Sequence, residues 1–151
     1  MIDLLDDILQ EIISDYKSNV DTRLRDVVYI AGPYAGDINK NTREACEVGY
    51  IATKKGLASF VPHPCILMNV YGKDEITKER QNGIVSTLSM ISHLAATENS
   101  HLWVIQNENN TFSSGTETEL VIWRKVKDKL GLPANIVIRK FSEWVKCNDE
   151  Q

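Results

Sequence analysis

Val27-Val28-Tyr29-Ile30-Ala31 is a short, unbroken apolar run that stops at once in Gly32-Pro33-Tyr34-Ala35-Gly36-Asp37. A strand with one wet face alternates apolar and polar side chains, whereas a run without alternation marks a strand buried on both faces. Similar short runs recur at 57–61, at Leu102-Trp103-Val104-Ile105 and at 135–138. Helical spacing fills the intervals between them. Residues 41–55 carry Ala45, Val48, Ile51 and Ala52 on one face, with Gly56 as a stop. Residues 76–97 carry Ile84, Leu88, Ile91, Leu94 and Ala95, and Gly83 weakens that helix enough to divide it. Residues 120–130 and 141–145 complete the set. Strand and helix alternating in this way predict an α/β fold, a parallel sheet of four or five strands flanked by helices.

An amphipathic helix over 2–17 precedes the first strand, with Leu5, Ile8, Leu9, Ile12, Ile13 and Tyr16 at i, i+3, i+4 spacing. Residues 1–26 are therefore read as an extra N-terminal helix and linker, and 27–151 as one domain. The helix must pack on that domain or on another copy of the chain, and the second option makes a homo-oligomer the expected protein partner. A net charge of −4 leaves no basic footprint for duplex nucleic acid. Asp3, Asp6 and Asp7 stand where a signal peptide carries positive charge, and no apolar run approaches the length of a membrane span. Cys46, Cys65 and Cys147 are odd in number, scattered and without metal-ligand spacing, as in free thiols of a reducing compartment. A cytoplasmic protein with no membrane partner and no metal is expected. Neither G-x-G-x-x-G nor a Walker A loop is present, so nothing points to a nicotinamide or P-loop cofactor.

Ligands of open parallel sheets sit beyond the carboxyl ends of the strands, and three segments fall there. The first is the turn Gly32, Pro33, Tyr34. The second is His63, held between Pro62 and Pro64 in a stiff extended loop, followed by a connection (65–74) whose Met68, Val70 and Tyr71 suit a pocket cover. The third is Ser113-Ser114-Gly115-Thr116-Glu117-Thr118-Glu119-Leu120, where a strand hands over to a helix and free backbone N–H groups form an anion site. With Ser114 as N-cap, Glu117 stands at N3 and closes a capping box. Glu119 lies about 200° further round the helix, at the head of an inward stripe of Glu119, Trp123, Val126 and Leu130. Capping does not explain a carboxylate in that position. In the first turn the helix dipole would hold it ionised at neutral pH. His93, near the end of its helix, reads either as a favourable cation at a helix C-terminus or as an acid–base group.

Tyr29-Ile30-Ala31-Gly32-Pro33-Tyr34 and Ser113…Gly115…Glu119-Leu120 together resemble the paired signatures of the nucleoside 2-deoxyribosyltransferase-like superfamily. Val28 to Asp37, Asn41, Ala45, Val61-Pro62-His63 and Arg80 fit the pattern of its bacterial and phage members, and the resemblance spans roughly residues 27–138. It implies a Rossmann-like or flavodoxin-like fold and chemistry at the N-glycosidic bond of a nucleoside or nucleotide. It implies Glu119 as nucleophile and Tyr29 as an active-site residue. Ser113, where transferases acting on free nucleosides carry aspartate, is similar to the monophosphate N-glycosidases and implies contact with a 5′-phosphate. Two aspartates usual in the superfamily are replaced here by His93 and His101, which leaves His93 as the acid–base candidate. The expected site thus comprises Glu119, Tyr29 and His93 as catalytic groups. Gly32, Pro33, Tyr34, His63, Ser113, Ser114, Gly115 and Thr116 would bind substrate. The competing expectation is a nucleotide-binding or sensing module without catalysis on the same fold.

Overall fold

The computed structural model describes residues 2–14, 23–64 and 78–149. In chain order its elements are α1 (Ile2–Ile13), β1 (Val27–Ala31), α2 (Ile38–Lys54), β2 (Ala58–Phe60), α3 (Lys78–Ala95), β3 (Ser100–Gln106), α4 (Ser114–Leu130), β4 (Ile136–Lys140) and α5 (Phe141–Asp149). The four strands form one parallel sheet in the order β2-β1-β3-β4. β1 is thus central, with Val28 opposite Ser59 and His101, and Tyr29 opposite Phe60 and Leu102. The expected α/β architecture, a Rossmann-like parallel sheet with an added N-terminal helix, is the one observed.

The unbroken apolar run of β1 has the cause inferred from its pattern. Val28 and Ile30 join Trp103 and Ile105 on one face, under Ala45, Val48, Ile51 and Ala52 of α2 and Trp144 of α5. Tyr29 and Ala31 join Leu102 and Val104 on the other, under Ile91 and Ala95 of α3 and Leu120 and Trp123 of α4. Each core has one aromatic anchor that also meets a backbone carbonyl, as buried indole N–H groups require. Trp144 stacks on Trp103 at 4.6 Å between centroids and donates to the Val104 carbonyl. Trp123 donates to the Ala134 carbonyl at 2.6 Å.

Several expectations need correction. Gly83 does not divide α3. The helix runs unbroken past it, because Gly83 is itself buried and its carbonyl accepts the Thr87 hydroxyl at 2.9 Å. Ile84, read as inward, is 43% exposed. In α4 the buried stripe is Thr116, Glu119, Leu120, Trp123 and Lys127, while Leu130 is 54% exposed beside the left-handed Gly131 that ends the helix. Lys127 takes the last inward place because its ammonium is satisfied there. It donates to the Thr97 carbonyl (3.0 Å) and Ser100 Oγ (2.7 Å) and lies over the Trp123 ring. α1 buries none of its residues, and Asp6 accepts the Leu24 N–H at its edge. It is therefore no part of the core. Tyr16, Cys65, Met68, Val70 and Tyr71 lie outside the described residues, as do the side chains of Arg80 and Cys147.

α2 rests on the sheet through Gly49. A Cβ on Gly49 would stand 2.6 Å from Val61 Cγ2, a stiff β-branched neighbour. Gly49→Ala should therefore cost about 1–3 kcal/mol in urea denaturation, and Val61→Ala in the same chain should recover most of that loss. Equal stability of Gly49→Ala and the parent would show that α2 does not approach the sheet so closely.

Candidate active site

The order β2-β1-β3-β4 reverses direction between β1 and β3. The connection leaving β1 turns to α2 on one face and that leaving β3 turns to α4 on the other, so a crevice opens at their carboxyl ends. Its floor is tight. Gly32 passes so near β3 that a Cβ would meet Ile105 at 3.2 Å. The Asn41 side chain holds the turn from α2, donating to the Tyr34 and Ala35 carbonyls at 3.1 Å each. Asp37 caps α2 by accepting the Lys40 N–H.

Glu119 is 8% exposed and Tyr29 is fully buried. Neither Glu119 Oε2 nor Tyr29 Oη has a hydrogen bond of full geometry, yet the two groups are close enough to perturb each other. Burial pushes the Glu119 carboxyl from 4.5 up to about 7, and the Tyr29 phenol pulls weakly the other way. Burial, reinforced by the Glu119 charge, raises the Tyr29 phenol well above its ordinary value, so it stays a hydrogen-bond donor. Full ionisation of Glu119 by the helix dipole is thus overturned at neutral pH. Glu119 is the sixth residue of α4, and the dipole acts within the first turn.

The N-cap is Ser113, one residue earlier than expected. Its Oγ accepts the Thr116 N–H at 3.2 Å and lies 2.8 Å from the Thr116 hydroxyl. Glu117 is consequently at N4 and exposed, its N–H bonded to the Ser113 carbonyl, and the capping box is replaced by a serine–threonine cap. The inward turn of Glu119 survives, because the angle between residues 117 and 119 does not depend on where the helix begins. The N–H groups of Ser114 and Gly115 remain without a partner in the helix, and a Cβ on Gly115 would meet nothing.

His63 is 1% exposed. Pro62-His63-Pro64 is a helical turn rather than an extended loop, Pro62 suiting a first helical position. Nε2 meets the Pro33 carbonyl at 3.0 Å, and a bond to a carbonyl requires Nε2 to carry the proton. Burial lowers the imidazole pKa against the opposing Pro33 and Gly32 carbonyls, and the ring lies 5.9 Å from that of Tyr34.

The pole at the carboxyl ends of the strands thus carries Gly32, Pro33, Tyr34, His63, Ser113, Ser114, Gly115, Thr116 and Glu119, with Tyr29 beside Glu119. It does not gather His93, which is exposed in the last turn of α3, at the amino ends of the strands. His101 lies at that same pole and pairs with Asp26 at 3.0 Å. A depression of about 390 Å³ lined by Arg124, Lys125, Lys127, Asp128, Leu132 and Ala134 also belongs to that pole and is remote from Glu119. Thr42 escaped the sequence reading. It is buried with an unpartnered hydroxyl, and only its place beside Asn41 on the inner face of α2 hints at a role.

Residues 26–133 match the model of a family described as a domain of unknown function, DUF7768. The chain belongs to that family. The match starts one residue before β1 and ends just beyond α4, so it takes in the whole crevice and omits α1. No curated protein and no solved structure matches the chain. Among the described residues of this DUF7768 domain, no three His, Cys, Asp or Glu side chains gather as a metal site would require, and no helix is long and apolar enough to cross a membrane.

The raised Glu119 pKa has a measurable consequence for stability. The folded chain keeps this proton to a higher pH than the unfolded chain does, so ionisation costs stability as pH rises from 4.5 through about 7. Glu119→Gln removes that cost. Its gain in thermal and urea stability should be small near pH 4 and grow to roughly 3 kcal/mol at pH 8. A gain independent of pH would mean that Glu119 is not desolvated.

Proposed function

We propose that the chain cleaves or transfers the N-glycosidic bond of a nucleoside 5′-monophosphate or nucleoside, with Glu119 as nucleophile. The observation that supports this best is the buried Glu119 carboxyl at the β1/β3 switch point, with only the Tyr29 phenol beside it and no hydrogen bond of full geometry at Oε2. A buried acid left unpaired is costly, and such groups concentrate where chemistry uses them. In its ionised form Glu119 attacks the anomeric carbon through an oxocarbenium-like transition state. The C1′–N bond breaks, its electron pair leaves with the base, and the base takes up a proton. Water, or a second base in transfer, then attacks the ribosyl ester and regenerates the carboxylate. Tyr29, still a phenol, donates to that carboxylate and steadies it between steps. The bare N–H groups of Ser114 and Gly115 suit a 5′-phosphate or 5′-hydroxyl, while the Ser113 hydroxyl already serves as helix cap.

Incubation with a nucleotide and nucleoside panel, followed by detection of free base, tests the reading. Base release should rise with pH through about 7 as Glu119 ionises, and Glu119→Gln should abolish it while remaining folded. Release at near the parent rate by the variant would end the proposal. A non-catalytic binding module is favoured by one observation: Glu119 is the sole buried carboxylate among the described residues, and His93 is at the far pole. Ligand-dependent stabilisation without base release would select it.

The oligomeric reading rests on α1. Leu4, Leu5, Ile8 and Ile12 are 61%, 46%, 43% and 58% exposed on a helix with nothing buried, which supports packing against a second copy of the chain. Sedimentation of residues 21–151 should give a smaller species than the full chain. An unchanged association state with the fold intact would remove that role.

A further inference from the structure

His63 spends one ring nitrogen on the fold and keeps the other in reserve. Nε2–H donates to the Pro33 carbonyl, which leaves Nδ1 as a bare lone pair. Nδ1 is shielded from water and bonded to nothing. Beside this ring stands that of Tyr34, tilted by 60°. α2 brings up Thr42, 9% exposed and also without a partner for its hydroxyl, next to Asn41, which fixes the Tyr34 and Ala35 carbonyls. A structural histidine has no use for a buried acceptor with no donor, because such an atom costs stability.

We propose that the α2 side of the Gly32-Pro33-Tyr34 turn is a base-recognition subsite, in which His63 Nδ1 accepts a hydrogen bond from an exocyclic amino group of the ligand. The inference rests on the nucleotide reading of the crevice given above and narrows its substrate class to amino-substituted bases, the 6-aminopurines and 4-aminopyrimidines. The clasp on Pro33 locks the tautomer, so Nδ1 can only accept. An oxo group in the same place would oppose lone pair to lone pair, and a site built around a hydrogen bond discriminates strongly against an analogue that cannot form it. The Tyr34 ring supplies an aromatic surface of the kind on which bases of either class rest. Selectivity would therefore fall to His63.

The test uses the full chain carrying Glu119→Gln, so that binding is not confused with turnover. Calorimetry compares adenosine with inosine 5′-monophosphate and cytidine with uridine 5′-monophosphate. Each amino ligand should bind roughly tenfold tighter than its oxo counterpart. His63→Gln, whose amide N–H can replace Nε2–H on the Pro33 carbonyl, leaves nothing at the Nδ1 position and should bind both members of each pair alike. A second readout needs no substitution at residue 63: the ¹⁵N resonance of His63 Nδ1 should move on adding adenosine monophosphate and not on adding inosine monophosphate. Equal binding of amino and oxo ligands, a preference that survives His63→Gln, or an Nδ1 resonance indifferent to both ligands overturns the subsite and leaves the Glu119 reading standing. Failure of all four nucleotides and of their four nucleosides to bind overturns both.

Discussion

The crevice exists because β1 is buried from both sides. β2 and β3 flank it in the sheet, and α2 with α5 and α3 with α4 cover its two faces. Parallel strands require crossover connections, and crossovers to opposite faces carry the chain away from β1 and β3 in opposite directions. The gap they leave is a product of topology, whatever residues line it. What is particular to this chain is how little slack surrounds it, with Gly32 set against Ile105 and Asn41 tying the turn to α2. A turn so held presents the Pro33 carbonyl to His63 in one orientation, and the imidazole tautomer follows from that.

α4 buries two ionisable groups about two turns apart, and the fold treats them differently. Lys127 is compensated on every side the fold offers, with a carbonyl at the end of α3, the Ser100 hydroxyl and the face of Trp123. That arrangement ties α3, β3 and α4 together at the amino pole, and a ligand has nothing to add to it. Glu119, at the other end of the same helix, is also buried and is left with a bare Oε2 and the Tyr29 phenol beside it. Desolvation dominates its titration, and Tyr29 only moderates the rise. The fold thus completes the contacts of one buried ionisable group and leaves Oε2 of the other without a partner.

Much of this was legible in the sequence, for reasons that differ by element. β1 was read to the residue because an unbroken apolar run closed by Gly-Pro has one structural meaning in an alternating chain. The inward turn of Glu119 was legible because two residues fix an angle of 200° whatever the helix start. The start itself was not, since Ser113 and Ser114 are equivalent as caps until the Thr116 N–H chooses between them. The raised Glu119 pKa is not legible in the sequence, because sequence position gives the strength of the helix dipole and only the packing gives the desolvation. Lys127 was invisible for the same reason: periodicity places it inward, but only the Thr97 and Ser100 partners make a buried ammonium tolerable.

His93 carries the sharper lesson, because the topology alone was enough to remove it. In a parallel sheet every helix runs back toward the amino ends, so a residue closing a helix and a residue opening the next strand share the pole opposite the ligand. His93 closes α3 and His101 opens β3, and both fall there. Residues that follow a strand or open a helix reach the crevice, and Tyr34, His63 and the segment from Ser113 to Glu119 all meet that condition. The proposed chemistry must accordingly run without a histidine acid at the leaving group. His63 does not replace His93 in that role, since Nε2–H is committed to Pro33 and the ring is held neutral by burial. The proton taken up by the departing base therefore comes from water, since Glu119 attacks as the carboxylate and has none to give, and burial beside Glu119 makes the Tyr29 phenol a weaker acid still.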